Sequence, residues 1–308
     1  MERSTAPSPT SHPAITVSVV IAAYNAAATI TDALESVHRQ QYPPIEIIVV
    51  DDGSTDDTIA VVERSGLTSA IIRQANQGPS RARNAGVRAA HGDWIAFLDA
   101  DDVWHPAKLA EQVAVVERHG DAAIVATDWA RALDQLGVPA ASHLEWFGYR
   151  DLVVLNRFQT STVLMRRAVL DAIGGFDASL DGVEDWDCWL RGALHGPVAL
   201  LHAPLVLYRD SPGGVSKDLR RLRAGAIAVM ERERQRGVLH PDDAQDLLAW
   251  HLERLFVAEV LVRDWPGALD ALKDVLLAPP HAHLRAARGL LGPFLLERLN
   301  RRRGRAAA

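Results

Sequence analysis

Residues 94–102 read Trp-Ile-Ala-Phe-Leu-Asp-Ala-Asp-Asp (WIAFLDADD), an apolar run that turns acidic within one residue. The run Trp94–Leu98 is too short for a buried helix and fits a strand covered on both faces. Three carboxylates, Asp99, Asp101 and Asp102, then crowd the point where that strand should end. Carboxylates packed this closely at the rim of a core repel one another and lose hydration unless a cation lies among them. The stretch therefore predicts a buried sheet with a positive partner at its edge.

The same strand type recurs on the N-terminal side. Ile15–Ala23, Ile45–Val50 and Ala70–Ile72 are apolar, β-branched runs, separated by amphipathic segments at Ala27–Gln40, Asp56–Ser65 and Pro79–Ala90, with a further helix at Pro106–His119. Strands alternating with helices in this way predict βαβ units around a parallel sheet. Thr29 or Thr31, Ser54 or Thr55, and Ser80 are candidate helix caps, and Pro79 and Pro106 suit a first turn. Beyond Gly120 the rhythm loosens into strands at Ala122–Thr127 and Ser161–Met165, a helix at Arg167–Ile173 ended by Gly174-Gly175, a helix at Trp186–Leu194, and a last strand at Val198–Tyr208. From Lys217 strand signals cease, and Arg220–Arg236, Pro241–Arg263 and Trp265–Leu277 carry helical periodicity. The expected organisation is a flexible tail over 1–14, an α/β domain over 15–216 and an α-helical C-terminal region over 217–308.

Composition narrows the partners. With 48% apolar and 23% charged residues among 308, the chain can bury a sizeable core. A net charge of −6 does not favour nucleic acid, which asks for a concentrated basic surface. One cysteine, Cys188, rules out an intrachain disulfide and reads as a small buried residue rather than a nucleophile. No signal-peptide core or bilayer-spanning run is present, so a cytoplasmic location is expected. The segment GLLGPFLLERLNRRRGR pairs an apolar stripe with a basic end; it could pack as a terminal helix or rest peripherally on an anionic membrane surface.

In open parallel sheets, ligands bind beyond the carboxyl ends of the strands. The second strand runs into Asp51-Asp52-Gly53-Ser54 and the fourth into the acidic run at Asp99. Taken alone, either could be a capped turn. Two acidic clusters on one sheet edge point instead to Mg²⁺ or Mn²⁺ with a phosphorylated ligand, because these ions take carboxylate oxygens and keep positions open for phosphates.

The ordered segments VSVVIAAYNAAATI, IEIIVVDDGSTDDT, NQGPSRARNAGV, WIAFLDADD and GVEDWDCWLR resemble the family 2 glycosyltransferases of GT-A fold, over roughly Ile15 to Ser216. The resemblance implies a Rossmann-like, mostly parallel sheet flanked by helices, and an inverting, metal-dependent transferase using a nucleotide-sugar donor, most often of the UDP type. By the same resemblance Ala23 and Tyr24 lie against the nucleotide base, where the Tyr24 ring could stack or simply pack. Asp51 and Asp52 face the base and ribose, with the division of labour between them open. Arg83 neutralises the diphosphate or braces the aspartates. Asp101 holds the metal, Asp99 lies nearer the ribose and contributes to the metal shell, and Asp102 supports them. Asp185 is the general base for the acceptor hydroxyl, and Glu184 orients the base or the acceptor. The acceptor expected is a carbohydrate or a lipid-linked glycan, in polysaccharide or glycoconjugate synthesis.

The sequence departs from the family at Ser211, where a metal-binding His often stands, and Asp210 is the available substitute. That departure supports a rival reading, a catalytically degenerate protein that binds a nucleotide sugar or glycan. A dinucleotide-binding dehydrogenase is disfavoured, because AAYNAAATI follows the first strand in place of Gly-x-Gly-x-x-Gly.

Overall fold

A computed structural model of the chain describes residues 15–140, 142–180, 182–209 and 218–277. The predicted 1–14 tail, Asp210, Ser211 and the basic end at 301–305 lie outside the described residues. Contacts divide the chain into two compact units, and the division is not one cut along the sequence. The first takes residues 15–148, 158–175 and 192–209; the second takes 149–157, 176–191 and the C-terminal helices.

The first unit is built on a nine-stranded sheet in the order β3-β2-β1-β4-β8-β6-β9-β5, with β7 paired to β9. Its strands are β1 (Val17–Ala23), β2 (Glu46–Asp51), β3 (Ala70–Arg73), β4 (Trp94–Asp99), β5 (Val103–Trp104), β6 (Ile124–Ala130), β7 (Leu144–Phe147), β8 (Leu164–Arg166) and β9 (Val198–Leu207). β3, β2, β1 and β4 run parallel; β2, β1 and β4 are buried on both faces, while β3 is a part-exposed edge strand. Beyond β4 the sheet is mixed: β8 is antiparallel to both β4 and β6, and β6 is parallel to β9. The helices are α1 (Ile30–His38), α2 (Thr58–Ser65), α3 (Pro79–Ala89), α4 (Lys108–Arg118) and, after β8, α6 (Arg167–Ile173).

Local chemistry sets where the helices begin. α3 starts after Gly78, whose φ of 90° suits only glycine, and Pro79 occupies the first turn where a missing N–H costs nothing. The expected side-chain caps are not the ones used. Thr29 makes no capping bond to α1. α2 starts at Thr58 after Asp57, because Ser54 and Thr55 are taken up by Asn25 in the neighbouring loop, and Ser80 is buried inside α3. The strand expected from Ser161 begins instead at Leu164, after a 3₁₀ turn at Thr160–Thr162.

The second unit is helical: α5 (Tyr149–Leu152), α7 (Glu184–Gly192), α8 (Leu219–Arg236), α9 (Pro241–Leu261) and α10 (Trp265–Leu277). Its core is Leu152, Trp186, Trp189, Val229, Met230, Trp250 and Leu255. Gly225 lets α8 close on Val183, since a Cβ there would stand 2.5 Å from Val183 Cγ2. No helix among the described residues is long and apolar enough to cross a membrane.

Candidate active site

Sheet register brings the two acidic clusters to one edge of the first unit. Ala23 pairs with Asp51 on one side of β1, and Ala22 pairs with Asp99 on the other. Past that edge, Asn25 sits at φ 49° and bonds the β2 loop, its N–H donating to Ser54 Oγ at 2.9 Å and its Oδ1 accepting from Thr55 N at 2.8 Å. The two loops are thereby locked together. Tyr24, next to this clamp, is 51% exposed, which leaves its ring face open to a planar ligand.

Asp51 and Asp52 are both buried and have different work. Asp52 organises the loop before α3: its Oδ1 accepts from Gln74 Nε2 at 2.7 Å and Gln77 N at 2.9 Å, and its Oδ2 accepts from Gly78 N at 2.8 Å. Asp51 Oδ1 accepts one longer bond, 3.3 Å from Ser54 N. Gly53, at φ 76°, lets the turn pass, since a Cβ there would come within 2.7 Å of Asn76 N.

At the end of β4, Arg83 from α3 donates to Asp99 Oδ1 at 2.7 Å. The guanidinium is buried while Asp99 is 32% exposed, so the pair holds one carboxylate at the surface in a fixed orientation. The Asp99 backbone N–H donates to Ser161 Oγ at 3.0 Å. Asp102 is buried and accepts from Arg209 N at 3.0 Å. Its carboxyl is pushed up to about 8, first by burial and next by the charges of Asp99 and Asp101.

Among the described residues no three His, Cys, Asp or Glu side chains form a ready-made metal cage. Mg²⁺ and Mn²⁺ do not require one, since they commonly take one or two carboxylates and complete their shell with phosphate oxygens and water. Asp99, held at the surface by Arg83, offers carboxylate oxygens of the kind such an ion takes.

In the second unit, Glu184 and Asp185 open α7, two residues ahead of the helix start expected at Trp186. Glu184 is buried and turns back to accept from Gly182 N, so it orders the segment that leads into the helix. Asp185 Oδ2 accepts from Asn156 Nδ2 at 3.0 Å, and its Oδ1 accepts from Trp186 N at 2.6 Å. Two donors fix the direction of this carboxylate at the start of the helix. Trp186 is buried and donates from Nε1 to Leu152 O at 2.8 Å, and Trp189 packs against Phe176. Cys188 is fully buried, as expected of a small core residue.

The residues that sequence reasoning missed here are Asn156, Gln74 and Ser161. Asn156 lies in a stretch without periodicity, and only its contact with Asp185 gives it meaning.

The fold is a mixed α/β sheet of GT-A architecture. The profile described as Glycosyl transferase family 2 matches residues 18–167. The uncharacterized glycosyltransferase YwdF of Bacillus subtilis is 32% identical over 205 residues, which cover 64% of this chain and 75% of YwdF. The chain belongs to glycosyltransferase family 2. A glucosyltransferase of Escherichia coli, WfaP, named for transfer from UDP-Glc to α-D-GlcNAc-diphosphoundecaprenol, is 42% identical over 103 residues, 33% of this chain and 41% of WfaP. The crystal structure of S. aureus TarS 1-349 in complex with UDP-GlcNAc has a similar fold, with a TM-score of 0.68 at 21% identity over 87% of this chain and 83% of that one.

Proposed function

We propose that the chain transfers a sugar from a nucleoside-diphosphate sugar of the UDP type to a hydroxyl of a carbohydrate or lipid-linked acceptor, with inversion at the anomeric carbon. The observation that carries this reading is the carboxylate edge of the sheet: Asp51 and Asp99 flank β1, and Arg83 fixes Asp99 at the surface. Such an edge suits a divalent cation with a diphosphate. The UDP-GlcNAc complex of the structural neighbour TarS and the UDP-Glc in the name of WfaP support the choice of donor.

In this reading Asp101 and Asp99 hold Mg²⁺ or Mn²⁺, which when bound supplies positive charge to the departing diphosphate. Ala23 and Tyr24 line the nucleotide, Asp51 reaches its base or ribose, and Asp52 keeps the loop over 74–78 in shape. Asp185 accepts the proton of the acceptor hydroxyl. The freed oxygen forms its bond to the anomeric carbon as the bond to the diphosphate breaks, and the electron pair leaves with the nucleotide. Glu184 keeps the segment before Asp185 in place.

The test is thermal shift with a panel of nucleotide sugars, with and without Mn²⁺. Stabilisation by a UDP-sugar that depends on the ion is expected, since only a ligand that favours the folded form raises its melting temperature. No stabilisation by any donor would sink the assignment.

A further inference from the structure

The last described helix has its large and small residues on the wrong sides. α10 buries Ala268 and Ala271, whereas Trp265, Leu269, Leu272 and Leu276 are exposed, Leu269 to 64% and Leu276 to 74%. Spaced i, i+4, i+7 and i+11, these four side chains fall in a line along one face of the helix. The turn from α9 adds Leu261 and Val262, exposed as well. A lone surface leucine needs no account, but an apolar stripe along a whole helix marks a surface that something covers.

Charge and connectivity narrow what the cover is. Arg223 of α8 is set against Glu259 and Asp274, and Lys273 against Asp270. This leaves Asp242, Asp243, Asp246 and Glu253 of α9 against Arg254, an acidic balance that works against a second copy of the same face and against an anionic membrane surface. Residues 278–308 lie outside the described residues, and their sequence has the opposite balance, seven arginines against Glu297. They also hold the apolar run Leu290-Leu291-Gly292-Pro293-Phe294-Leu295-Leu296. The stripe ends at Leu276 and α10 at Leu277, and the sequence goes on to Pro279-Pro280, a pair that disfavours continuing the helix. Residues 278–289, fully extended, span about 40 Å, and α10 is about 20 Å long. The apolar run can therefore return to any part of the stripe, and its covalent attachment raises its local concentration there.

We propose that residues 290–296 dock on the outer face of α10, with Trp265, Leu269, Leu272 and Leu276 as the surface that receives them and the flanking arginines set against the acidic residues of α9.

The test uses full-length chains and the rate of maleimide labelling, read by mass spectrometry. Leu269→Cys places a thiol on the stripe, Lys273→Cys places one on the charged side of the same helix, and the native Cys188 is fully buried. Each is made with the native tail and with Leu291→Asp and Leu295→Asp added. At the Leu269→Cys position the native tail should slow labelling by about tenfold, as for a face covered about nine-tenths of the time, and dilution should not change the rate. At the Lys273→Cys position the two tails should give equal rates, which shows that the aspartates leave α10 folded. Equal rates with both tails at the Leu269→Cys position overturn the proposal. So does protection that fades on dilution, which would assign the stripe to a second copy, and protection that appears only with vesicles of anionic phospholipid, which would assign it to a membrane.

Discussion

Asp185, proposed above as the general base, is oriented by two donors on its own unit, Asn156 and the Trp186 amide. Replacing it by Asn retains the hydrogen-bonding shape and removes the basicity. Asp185→Asn is expected to lower kcat by about 10³-fold, with UDP affinity unchanged when turnover is followed by UDP release and binding by calorimetry. Asp52 gives a contrasting case. Its three accepted bonds make it a brace for the loop over 74–78. Asp52→Ala leaves those donors without an acceptor and should cost about 3 kcal/mol, read from the urea midpoint, with donor affinity falling as the loop loosens. Asp52→Asn, which keeps an acceptor oxygen, should fall between the two.

At the scale of elements, α3 lies close on β1 because Gly86 has no side chain; a Cβ there would meet Val20 Cγ1 at 2.3 Å. Gly86→Ala must push helix from strand, and a loss of about 1 to 3 kcal/mol is expected in denaturant titration, despite the better helix propensity of alanine. Donor affinity should weaken with it, since α3 also carries Arg83. The elements most legible in the sequence were those with a single strong pattern. The β1, β2 and β4 runs were readable to within a residue or two because burial on both faces leaves them almost wholly apolar, Ser18 being the one polar residue inside β1. β5 and β7 were not readable. β5 spans only two residues, and β7 pairs at one side of β9 with a part-exposed Leu-Glu-Trp-Phe sequence that shows no clean alternation. The carboxylates of the site were visible as residue types, whereas their partners were not. Asn156, Gln74 and Ser161 are ordinary polar residues that acquire a role only through contacts of long sequence separation. His251 shares that fate, since a histidine inside an amphipathic helix reads as surface until its burial is known.

For the whole molecule, His251 should leave a mark on acid stability. Burial, and then the nearby Arg254 cation, push its imidazole down to about 3 in the folded chain, against about 6.5 for an exposed imidazole. Between those values the unfolded chain binds a proton that the native state refuses. Its contribution is therefore complete above about pH 6.5 and is lost as pH falls toward 3. The groups facing it are the Asp185 carboxylate on α7 and the Arg254 cation on α9, while α8 presents the apolar Leu222 and Ala226 to the cavity that His251 lines. His251→Phe should flatten the fall in melting temperature between pH 6.5 and 4 in calorimetry, relative to the wild-type chain, by the equivalent of a few kcal/mol, roughly.

The way α7 is anchored has a practical consequence for anyone trimming this protein. Arg232 of α8 bonds Asp177 at 2.7 Å and faces Asp187 of α7, Tyr149 bonds Glu233, and Trp186 packs on His251. An expression clone stopped near residue 216, where strand signals end, would strip α8 and α9 from beneath Asp185. It would expose Val183, Leu152 and Trp186 to water and leave the buried Asp187 with Arg191 of its own helix but without the Arg232 cation. Such a shortened enzyme should come out in inclusion bodies, or else soluble but idle. Useful boundaries for cloning and for domain exchange lie after α10, so that α7 keeps the helices it packs against.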